Sequence, residues 1–499
     1  MVGRVEGSSP NSFIIFRYQG IAMSSQLPTD GAGSREPIST EASRVVPQRC
    51  QDLSRRSLLL GGSTILGATA VSYARVLGAN DRICLGQIGV GNRGRELASV
   101  VAGLKSHSNV EMIAVCDLWK VNRDRAAATA ANEYGRRPLA VPYPEELVAA
   151  KDVDAVIVSN ADFQHATHLR LAVEAGKDVY CEKPMATDLR EAKAARDAVR
   201  SGDRIVQVGT QHRSEPYQAV VRDLVASGAL GCISKVEIVW NYNGPRWRGR
   251  PEVRQIREED TDWQKWLLTK PPRAFDPRLY FEFRLYREFS SGIADQWMSH
   301  ASDMVHYLMD DPLPKSVVAH GGVFAWHDGR ENPDTFQALF EYPKGFLVSY
   351  STSLGNDSDS FSRFMGKKAT LINHGGEGSR RWKLVEERGT HEANPFVRRP
   401  AKYIKLSDET SRSLSWNERL WNGAVQKTYG PLPFTSDRDP SHMKNWLECL
   451  RSRKQPNATV DHGFAHSVAV IMAARAYETG QRLYFDPVKE EILDRPPMS

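Results

Sequence analysis

The chain has 499 residues, of which 41% are hydrophobic and 25% are charged, and its formal net charge is +6 at pH 7. Because Lys and Arg are scattered among Asp and Glu, this small charge predicts no nucleic-acid-binding surface. The six cysteines include no Cys-x-x-Cys pair, so neither a disulfide framework nor a thiolate zinc site is expected, and no metal centre is predicted.

A long polar segment precedes the first structural elements. Residues 1–53 are rich in Ser, Pro, Gly and Arg without a sustained period, which predicts disorder. Arg55 and Arg56 then lead into an apolar, small-residue-rich run at 58–74, which is too short and too rich in Gly and Ser for a good membrane span. This order of features predicts a signal for the twin-arginine export machinery, and hence a periplasmic protein of a bacterium. Leu58 stands where such signals usually carry Phe, which leaves a cytoplasmic location open.

Beyond the leader, which we place at 1–80, short apolar runs alternate with helical patterns. The predicted strands are 83–90, 110–116, 155–159, 179–181 and 205–208, and helices are predicted at 165–175 and 188–200. Such alternation predicts an α/β domain at 81–209 with a doubly wound parallel sheet covered by helices on both faces.

A glycine-rich loop follows the first predicted strand and opens a helix. It has the spacing Gly-x-Gly-x-x-Gly and consists of Gly89, Val90, Gly91, Asn92, Arg93 and Gly94. In this context backbone amides and the helix N-terminus can meet a pyrophosphate, so the loop predicts dinucleotide binding. Asp117 ends the second strand, where a carboxylate can accept both ribose hydroxyls of NAD and would repel the extra phosphate of NADP. NAD is therefore the expected cofactor, while Lys120 and Arg123 keep NADP open.

After about residue 210 the pattern changes to longer alternating strands. These are predicted at 236–242, 317–324, 336–342, 346–353 and 369–372, and two helices at 443–453 and 462–480 close the chain. The pattern predicts a Rossmann domain followed by an α+β domain at 210–488 with a large, mostly antiparallel sheet. One sheet face is expected to be open or used for homo-oligomer association. Residues 374–433 are left unassigned, and 489–499 are predicted to be a tail.

Two polar motifs follow the carboxyl ends of predicted parallel strands, where open α/β sheets bind their ligands. They are Asn160-Ala161-Asp162-Phe163-Gln164-His165 and Glu182-Lys183-Pro184. Later in the chain come Gly209-Thr210-Gln211-His212-Arg213 and the stretch from Asp295 through His300 to Asp303. As a set, over about 82–487, these motifs resemble the Gfo/Idh/MocA family, the group of glucose-fructose oxidoreductase and inositol dehydrogenase.

The resemblance implies a dehydrogenase that acts on a hydroxyl of a sugar, polyol or sugar derivative. His300 resembles the family's base and Lys183 the partner that orients the substrate hydroxyl, while Asp303 matches a recurring family acid. An Asp is usual four residues before the base; here Gln296 occupies that position beside Asp295, so a one-residue shift or bulge is needed to restore the acid. A purely structural role for His300 stays open.

The predicted site residues fall into two groups. The expected catalytic residues are Lys183, His300, Asp295 and Asp303. The expected cofactor-binding residues are Gly89, Gly91, Asn92, Arg93, Gly94, Asp117, Asn160, His165, Glu182, Lys183 and Gln211. One or two aromatic residues are expected to stack on a sugar face, with Arg246 and Arg248 as polar contacts. The candidate aromatic residues are Trp240, Tyr242, Trp247, Trp263 and Trp297.

Export constrains the chemistry, because nicotinamide cofactors are not supplied beyond the cytoplasmic membrane. The sequence therefore predicts an exported oxidoreductase with a tightly bound cofactor that is recycled in place. Two alternatives stay open. One is an NAD-dependent glycosidase that uses transient oxidation, and the other is a non-catalytic ligand sensor on the same scaffold.

Overall fold

The computed structural model describes residues 81–374, 382–387 and 441–497. The predicted leader and its export segment at 58–74 lie outside the described residues, as does most of the unassigned 374–433 segment. Among the helices in the described ranges, none combines the length and apolar character that crossing a membrane requires.

The first half of the described chain forms a six-stranded parallel sheet in the order β3-β2-β1-β4-β5-β6. Its strands are β1 (Ile83–Ile88), β2 (Val110–Cys116), β3 (Leu139–Val141), β4 (Ala155–Val158), β5 (Asp178–Cys181) and β6 (Val206–Val208). Its helices are α1 (Asn92–Ser108), α2 (Lys120–Tyr134), α3 (Pro144–Val148), α4 (His165–Glu174) and α5 (Leu189–Arg200). This order is that of the dinucleotide-binding Rossmann fold, and the predicted doubly wound sheet is confirmed.

Local sequence explains why these elements form where they do. All four residues of β4 are buried apolar side chains, as expected for a strand covered on both faces. At the start of α5, the carboxylate of Asp188 accepts hydrogen bonds from the amides of Arg190 and Glu191 and so caps the helix. The order of strands reverses between β1 and β4, so the residues after these two strands lie side by side at the edge where ligands bind.

The second half of the described chain forms a nine-stranded sheet in the order β15-β14-β13-β7-β11-β10-β9-β16-β17, and among the strand pairs described there only β7–β11 is parallel. Its strands are β7 (Ile233–Val239), β9 (Ser316–Gly322), β10 (Thr335–Tyr342), β11 (Phe346–Ser353), β13 (Phe361–Gly366), β14 (Ala369–His374), β15 (Trp382–Glu386), β16 (Leu483–Asp486) and β17 (Glu491–Leu493). A small separate pair consists of β8 (Tyr242–Asn243) and β12 (Gly355–Asn356). The remaining helices are α6 (Pro216–Ala226), α7 (Trp263–Leu267), α8 (Pro277–Phe281), α9 (Ser299–Met309), α10 (His442–Ser452) and α11 (Val460–Thr479).

The large sheet has one covered face and one open face, which confirms the predicted α+β second domain. In β10 the buried Phe336, Ala338 and Phe340 alternate with outward-facing residues, as an antiparallel sheet covered on one side requires. The helices α9 and α11 pack with the covered side, and the open face exposes Val318, Leu339 and Leu347.

Two features of the second half differ from the sequence predictions. The predicted tail at 489–499 is not a plain tail, because Glu491–Leu493 pairs with β16 at the edge of the sheet. Three residues are too few for a recognisable period. In addition, α10 packs on the first domain, where Trp446 lies edge-on to Tyr180 and the Gln207 side chain donates to the carbonyl of His442. That contact depends on tertiary folding and has no local signature.

Candidate active site

The glycine loop after β1 leaves no room for side chains where the chain turns. Gly89 has φ +82°, and a Cβ there would lie 2.5 Å from the backbone nitrogen of Asn160. A Cβ on Gly94 would lie 2.3 Å from the carbonyl oxygen of Gly89. In contrast, a Cβ on Gly91 would meet only the Asn122 side chain, at 4.0 Å, because this residue borders the open cleft. The loop therefore presents bare backbone to the cleft, which fits the close approach of a dinucleotide pyrophosphate.

Asp117 connects this loop to the end of β2. Its carboxylate accepts from the amide of Val90 at 3.0 Å and from the amide of Trp119 at 2.9 Å, and burial raises its pKa. Of the two nearby cations, Lys120 pairs with Asp124, and Arg123 donates to the backbone carbonyl of Asp117 at 2.6 Å, where its charge partly opposes the rise in the pKa of the carboxyl. The position fits an acceptor for ribose hydroxyls and favours NAD over NADP.

The cleft is bordered by most of the loop and by residues at the ends of β2 and β4. Among the predicted cofactor-binding residues, those that line it are Gly89, Gly91, Asn92, Arg93, Asp117 and Asn160. The buried side-chain oxygen of Asn160 has no hydrogen-bond partner in the described part of the chain, so it is available to a ligand.

The other predicted cofactor-binding residues support the cleft instead of lining it. Glu182 is buried and accepts from Arg93 at 2.8 Å and from the amide of Lys183 at 3.2 Å. The ring nitrogens of His165 lie 2.7 Å from the carbonyl oxygen of Pro184 and 3.2 Å from that of Asn160. Gln211 begins a short 3-10 helix after β6. These contacts give His165 and Glu182 positioning roles.

Lys183 lies beyond the cleft, at the end of β5. Its ammonium donates to the backbone carbonyl of Gln296 at 2.8 Å and lies 3.3 Å from the side-chain oxygen of the same residue. Burial lowers the pKa of Lys183 to about 8, although the carboxylates of Glu182 and Asp162 oppose this shift. A lysine that titrates near neutral pH is typical of a reaction centre.

The predicted bulge before His300 is present, but it does not restore the acid. Residues Ala294–Met298 form one turn of π-helix, which inserts an extra residue and points Gln296 at Lys183. The carboxylate of Asp295 instead accepts from the amide of Ser291 at 2.6 Å and from the Ser290 hydroxyl at 3.1 Å, and no contact between it and Lys183 is found in the described residues. A catalytic role for Asp295 is therefore not supported by its contacts.

The acid near Lys183 is Asp162, which the sequence analysis did not select. Its side chain is fully buried and accepts from Gln296 at 2.5 Å, from Arg284 at 3.0 Å and from the Ser290 hydroxyl at 3.0 Å. Burial raises the pKa of Asp295, and the charge of Asp162 adds to this shift. Its place directly after β4 could have identified Asp162. No local sequence pattern could have identified Arg284 and Ser290 as its partners.

His300 lies in the first turn of α9, where the charges of Lys183 and Arg93 act on it. Burial lowers the pKa of His300 well below its usual value, and the charge of Lys183 is the next largest cause. Its Nδ1 has no hydrogen-bond partner in the described ranges, and its ring packs edge-on against His212 with centroids 5.3 Å apart. His300 is therefore a neutral base next to a cation. No group of three or more His, Cys, Asp or Glu in the described chain is arranged to hold a metal ion.

Asp303 forms a buried ion pair instead of facing Lys183. Both of its carboxylate oxygens lie 2.8 Å from Nε of Arg213, and the two side chains are 1% and 4% exposed. The prediction that Asp303 acts catalytically is corrected accordingly: it fixes α9 against the chain that follows β6. The sequence places Asp303 on a helix but cannot indicate its partner, which is 90 positions away.

Four of the five predicted aromatic residues cluster next to the π-helix. Trp297 stacks on Trp240 with ring centroids 5.1 Å apart and an interplanar angle of 8°, and Tyr242 and Trp247 contact its edges. Trp263 instead stacks on Trp266 in a separate cluster. Arg246 lies over the ring of Tyr242, whereas Arg248 pairs with Glu282 and Asp328. An aromatic surface that ends in an exposed tyrosine and an arginine suits a sugar ring.

Comparison with known proteins places the fold and site in one family. The description "Oxidoreductase family, NAD-binding Rossmann fold" matches residues 84–210, and "Oxidoreductase family, C-terminal alpha/beta domain" matches residues 273–485. The two matches cover most of the chain and both of its sheets. The protein belongs to the Gfo/Idh/MocA oxidoreductase family, whose first domain binds NAD.

Individual relatives are similar over shorter stretches. Inositol 2-dehydrogenase 3 of Saccharopolyspora erythraea is 36% identical over 157 residues, which are 30% of this chain and 41% of that protein. Inositol 2-dehydrogenase of Gluconacetobacter diazotrophicus is 28% identical over 187 residues, which are 37% and 54% of the two chains. This chain therefore spans only about half the length of these curated relatives.

One solved structure illustrates the shared fold. It is the WlbA dehydrogenase of Bordetella pertussis in complex with NADH and UDP-GlcNAcA, which superposes with a TM-score of 0.56 at 17% identity. The superposition covers 81% of this chain and 99% of that one. At this identity the likeness shows the two-domain fold alone.

The glycine loop offers a direct test of this geometry. Gly94→Ala is expected to lower the free energy of unfolding by about 1–3 kcal/mol, because the new methyl group would displace the backbone of Gly89. Gly103→Ala is the matched control, since it lies in the same helix with no atom within 4 Å of the added Cβ, and it should raise stability by about 0.5–1 kcal/mol. Urea unfolding measures the change in the free energy of unfolding for both variants. Equal stability of the two variants would contradict the close packing at Gly94.

Proposed function

We propose that the protein is an NAD-dependent oxidoreductase that acts on a hydroxyl group of a sugar, polyol or sugar derivative. The observation that carries this proposal is the meeting of Lys183 and the neutral His300 at the carboxyl end of the parallel sheet, beside the glycine-loop cleft. The named relatives support the substrate class, because they are inositol 2-dehydrogenases.

Each residue of the site has a distinct task in such a reaction. NAD, when bound, supplies the hydride acceptor. Lys183 is protonated below its pKa of about 8 and can donate to the substrate oxygen as negative charge develops there. His300 is neutral and can accept the hydroxyl proton. Asp162 supports the cation of Lys183 and holds the side chain of Gln296 against it.

The neighbouring aromatic cluster supplies a surface for the substrate. Trp297 follows Gln296 directly in the chain, so the stacked pair of Trp240 and Trp297 adjoins the reacting groups. Tyr242 and Arg246 form its exposed edge. A pyranose or cyclitol ring can stack on such a surface while its hydroxyls reach the polar groups beyond.

The export prediction extends the proposal to how the cofactor is used. If Arg55 and Arg56 direct the folded protein to the periplasm, the cofactor has to travel with it and be reoxidised in place. Two half-reactions on two hydroxyl or carbonyl substrates would satisfy this requirement. The exposed Val318, Leu339 and Leu347 on the open sheet face further favour a homo-oligomer formed through that sheet.

Native mass spectrometry of protein isolated from its producing cells tests these points together. We expect one NAD per chain, an N-terminus beyond the 58–74 run, and a mass that corresponds to more than one subunit. Protein that emerges with empty sites and binds NAD only at millimolar concentration would contradict a resident cofactor. A monomer would contradict association through the open face, and an intact leader on periplasmic protein would contradict cleavage.

Turnover assays test the reaction itself. With inositols, hexoses and sugar acids as substrates, we expect NADH to form in an initial burst that matches the number of sites. Release of an aglycone without net change of cofactor would favour the glycosidase alternative. A ligand sensor would instead bind sugars with equal affinity after Lys183→Ala and His300→Ala substitutions and would form no NADH.

A further inference from the structure

A segment of the second domain lies across the mouth of the dinucleotide cleft. Residues 249–289 include α7 and α8, and several of their side chains line the cleft that the glycine loop borders. These cleft-lining residues include Arg250, Glu252, Lys265, Trp266, Tyr280 and Arg284. We refer to residues 249–289 as the cover segment. Its first part, including Arg250, lies between the two regions matched by the family descriptions.

The cover segment is attached firmly to the Rossmann domain. The ring of Trp266 lies 5.1 Å from that of Phe163, and its carbonyl accepts from the Gln164 side chain at 2.6 Å. Trp119, just after β2, packs edge-on against Phe281 with centroids 5.1 Å apart. These apolar contacts form a separate buried cluster that spans both domains. The cover segment is therefore a fixed wall of the cleft.

The backbone at Arg250 is held by a buried carboxylate. Glu282, which is 3% exposed, accepts from the amide of Gly249 at 2.8 Å and from the amide of Arg250 at 3.2 Å. The same carboxylate pairs with Arg248, whose guanidinium also donates to the carbonyl of Asp328 at 2.7 Å. The backbone from which the Arg250 side chain extends is thus fixed within the cover segment.

The guanidinium of Arg250 lacks the carboxylate partners that other arginines on this cleft have. Arg93 pairs with Glu182 at 2.8 Å and Arg284 with Asp162 at 3.0 Å. For the Arg250 side chain, no hydrogen bond or ion pair is found with any residue in the described ranges. Burial lowers its pKa, as do the charges of Arg284 and Arg246, while Glu252 and Glu282 partly oppose them. A half-buried cation repelled by its neighbours would be stabilised by an anion in the cleft.

We propose that Arg250 completes the dinucleotide site from the second domain by binding the diphosphate opposite the glycine loop. This rests on the proposed function. The glycine loop, the N-terminus of α1 and Arg250 all line this one cleft, so bare amides and a guanidinium that has no partner in the described ranges are both offered to the same ligand. Arginine suits the task because its planar fork donates two parallel hydrogen bonds to phosphate oxygens. A diphosphate held from both domains would leave slowly, as a resident cofactor requires.

Binding measurements on Arg250→Gln test the proposal. We expect the Kd values of NADH and of ADP-ribose to rise together by about ten- to a hundredfold, because both ligands contain the diphosphate. The Kd of adenosine, which lacks it, should stay unchanged. Arg254→Gln is the matched control. Arg254 is an exposed arginine at the end of the short helix Pro251–Arg254, which begins directly after Arg250, and it does not line the cleft. In stopped-flow displacement experiments, the lower affinity of Arg250→Gln should appear as a faster release of NADH.

The outcomes separate this inference from the proposed function. Wild-type protein that fails to bind NADH would overturn both. Wild-type binding with unchanged Kd values in Arg250→Gln would overturn the Arg250 assignment alone. An unchanged NADH affinity with a raised KM for an anionic sugar would assign the guanidinium to the substrate and overturn the proposal. Arg250→Lys should fall between the wild type and Arg250→Gln, and a thermal unfolding midpoint shared with Arg254→Gln excludes a folding defect.

Discussion

Replacing Lys183 with methionine is expected to lower kcat by about a hundred- to a thousandfold, the effect of removing a group that stabilises developing negative charge. Methionine retains the apolar stem of lysine but offers the substrate oxygen neither charge nor donor. The affinity for NADH should change little, because Lys183 lies beyond the cleft that the glycine loop borders. Stopped-flow measurement of NADH formation, with NADH binding measured separately, checks both expectations.

The same substitution is expected to stabilise the folded protein. The pKa of Lys183 falls from its usual value near 10.5 to about 8, so the folded state disfavours the charged form. The substitution also removes the hydrogen bond to Gln296. With that loss included, the free energy of unfolding should increase by on the order of 2 kcal/mol at neutral pH. Below pH 8 the lysine is charged in both states and the full penalty applies. Between pH 8 and 10.5 only the unfolded state keeps the proton, so wild-type stability rises and the advantage of methionine shrinks.

Lys177→Met provides a matched control. Lys177 is also largely buried, and its ammonium donates to the carbonyls of Ala150 and Val153 at 2.9 and 2.6 Å, away from the cleft. Its replacement should leave kcat unchanged. The role of Lys183 would be contradicted if Lys183→Met kept wild-type turnover, or if both substitutions lowered kcat equally.

The pH profile distinguishes which residue acts as the base. If protonated Lys183 stabilises the alkoxide, kcat/KM for oxidation should fall as pH rises through about 8, and Lys183→Arg should remove that fall because arginine keeps its proton. A rise through the same range would assign the proton acceptor to Lys183 instead of His300.

Asp303→Asn is expected to lower the free energy of unfolding by about 3–5 kcal/mol, because it leaves the buried Arg213 without its counter-charge. Removing a surface partner should cost far less. Asp461→Asn, which breaks an exposed pair with Arg200, should cost at most about 1 kcal/mol. Urea denaturation monitored by tryptophan fluorescence measures both changes.

A double variant tests the same ion pair in case Asp303→Asn does not fold. Replacing the pair with Arg213→Met and Asp303→Leu should recover most of the lost stability, since apolar residues of similar size need no counter-charge. If Asp303→Asn folded as stably as the wild type and lost only turnover, the positioning role assigned to Asp303 would be wrong and the catalytic role would be restored.

How far the sequence leads depends on the range over which each signal acts. Gly89, Gly94 and Asp117 were predictable because one short unit of strand, loop, helix and strand requires all of them. The tight loop needs glycines, and the ribose needs a carboxylate after the second strand. Lys183 was selected through a motif at the end of a predicted strand, and His300 through the resemblance of the whole set of motifs to one family. That Asp295 bonds to Ser290 and Ser291 while Gln296 contacts Lys183 was not predictable, since it depends on how the π-helix packs in the folded protein.

By itself, the sequence determined the parallel sheet and the nucleotide loop, because strand period and glycine spacing are local properties of the chain. Lys183 and His300 were selected through the resemblance to a family, and their roles are predictions. Only the tertiary structure decided their partners: Asp162 near Lys183, Arg213 for Asp303, and the cover segment that carries Arg250 to the cleft. These contacts join residues about 20 to more than 150 positions apart, and their energies arise from burial and charge pairing that exist only once the two domains have packed.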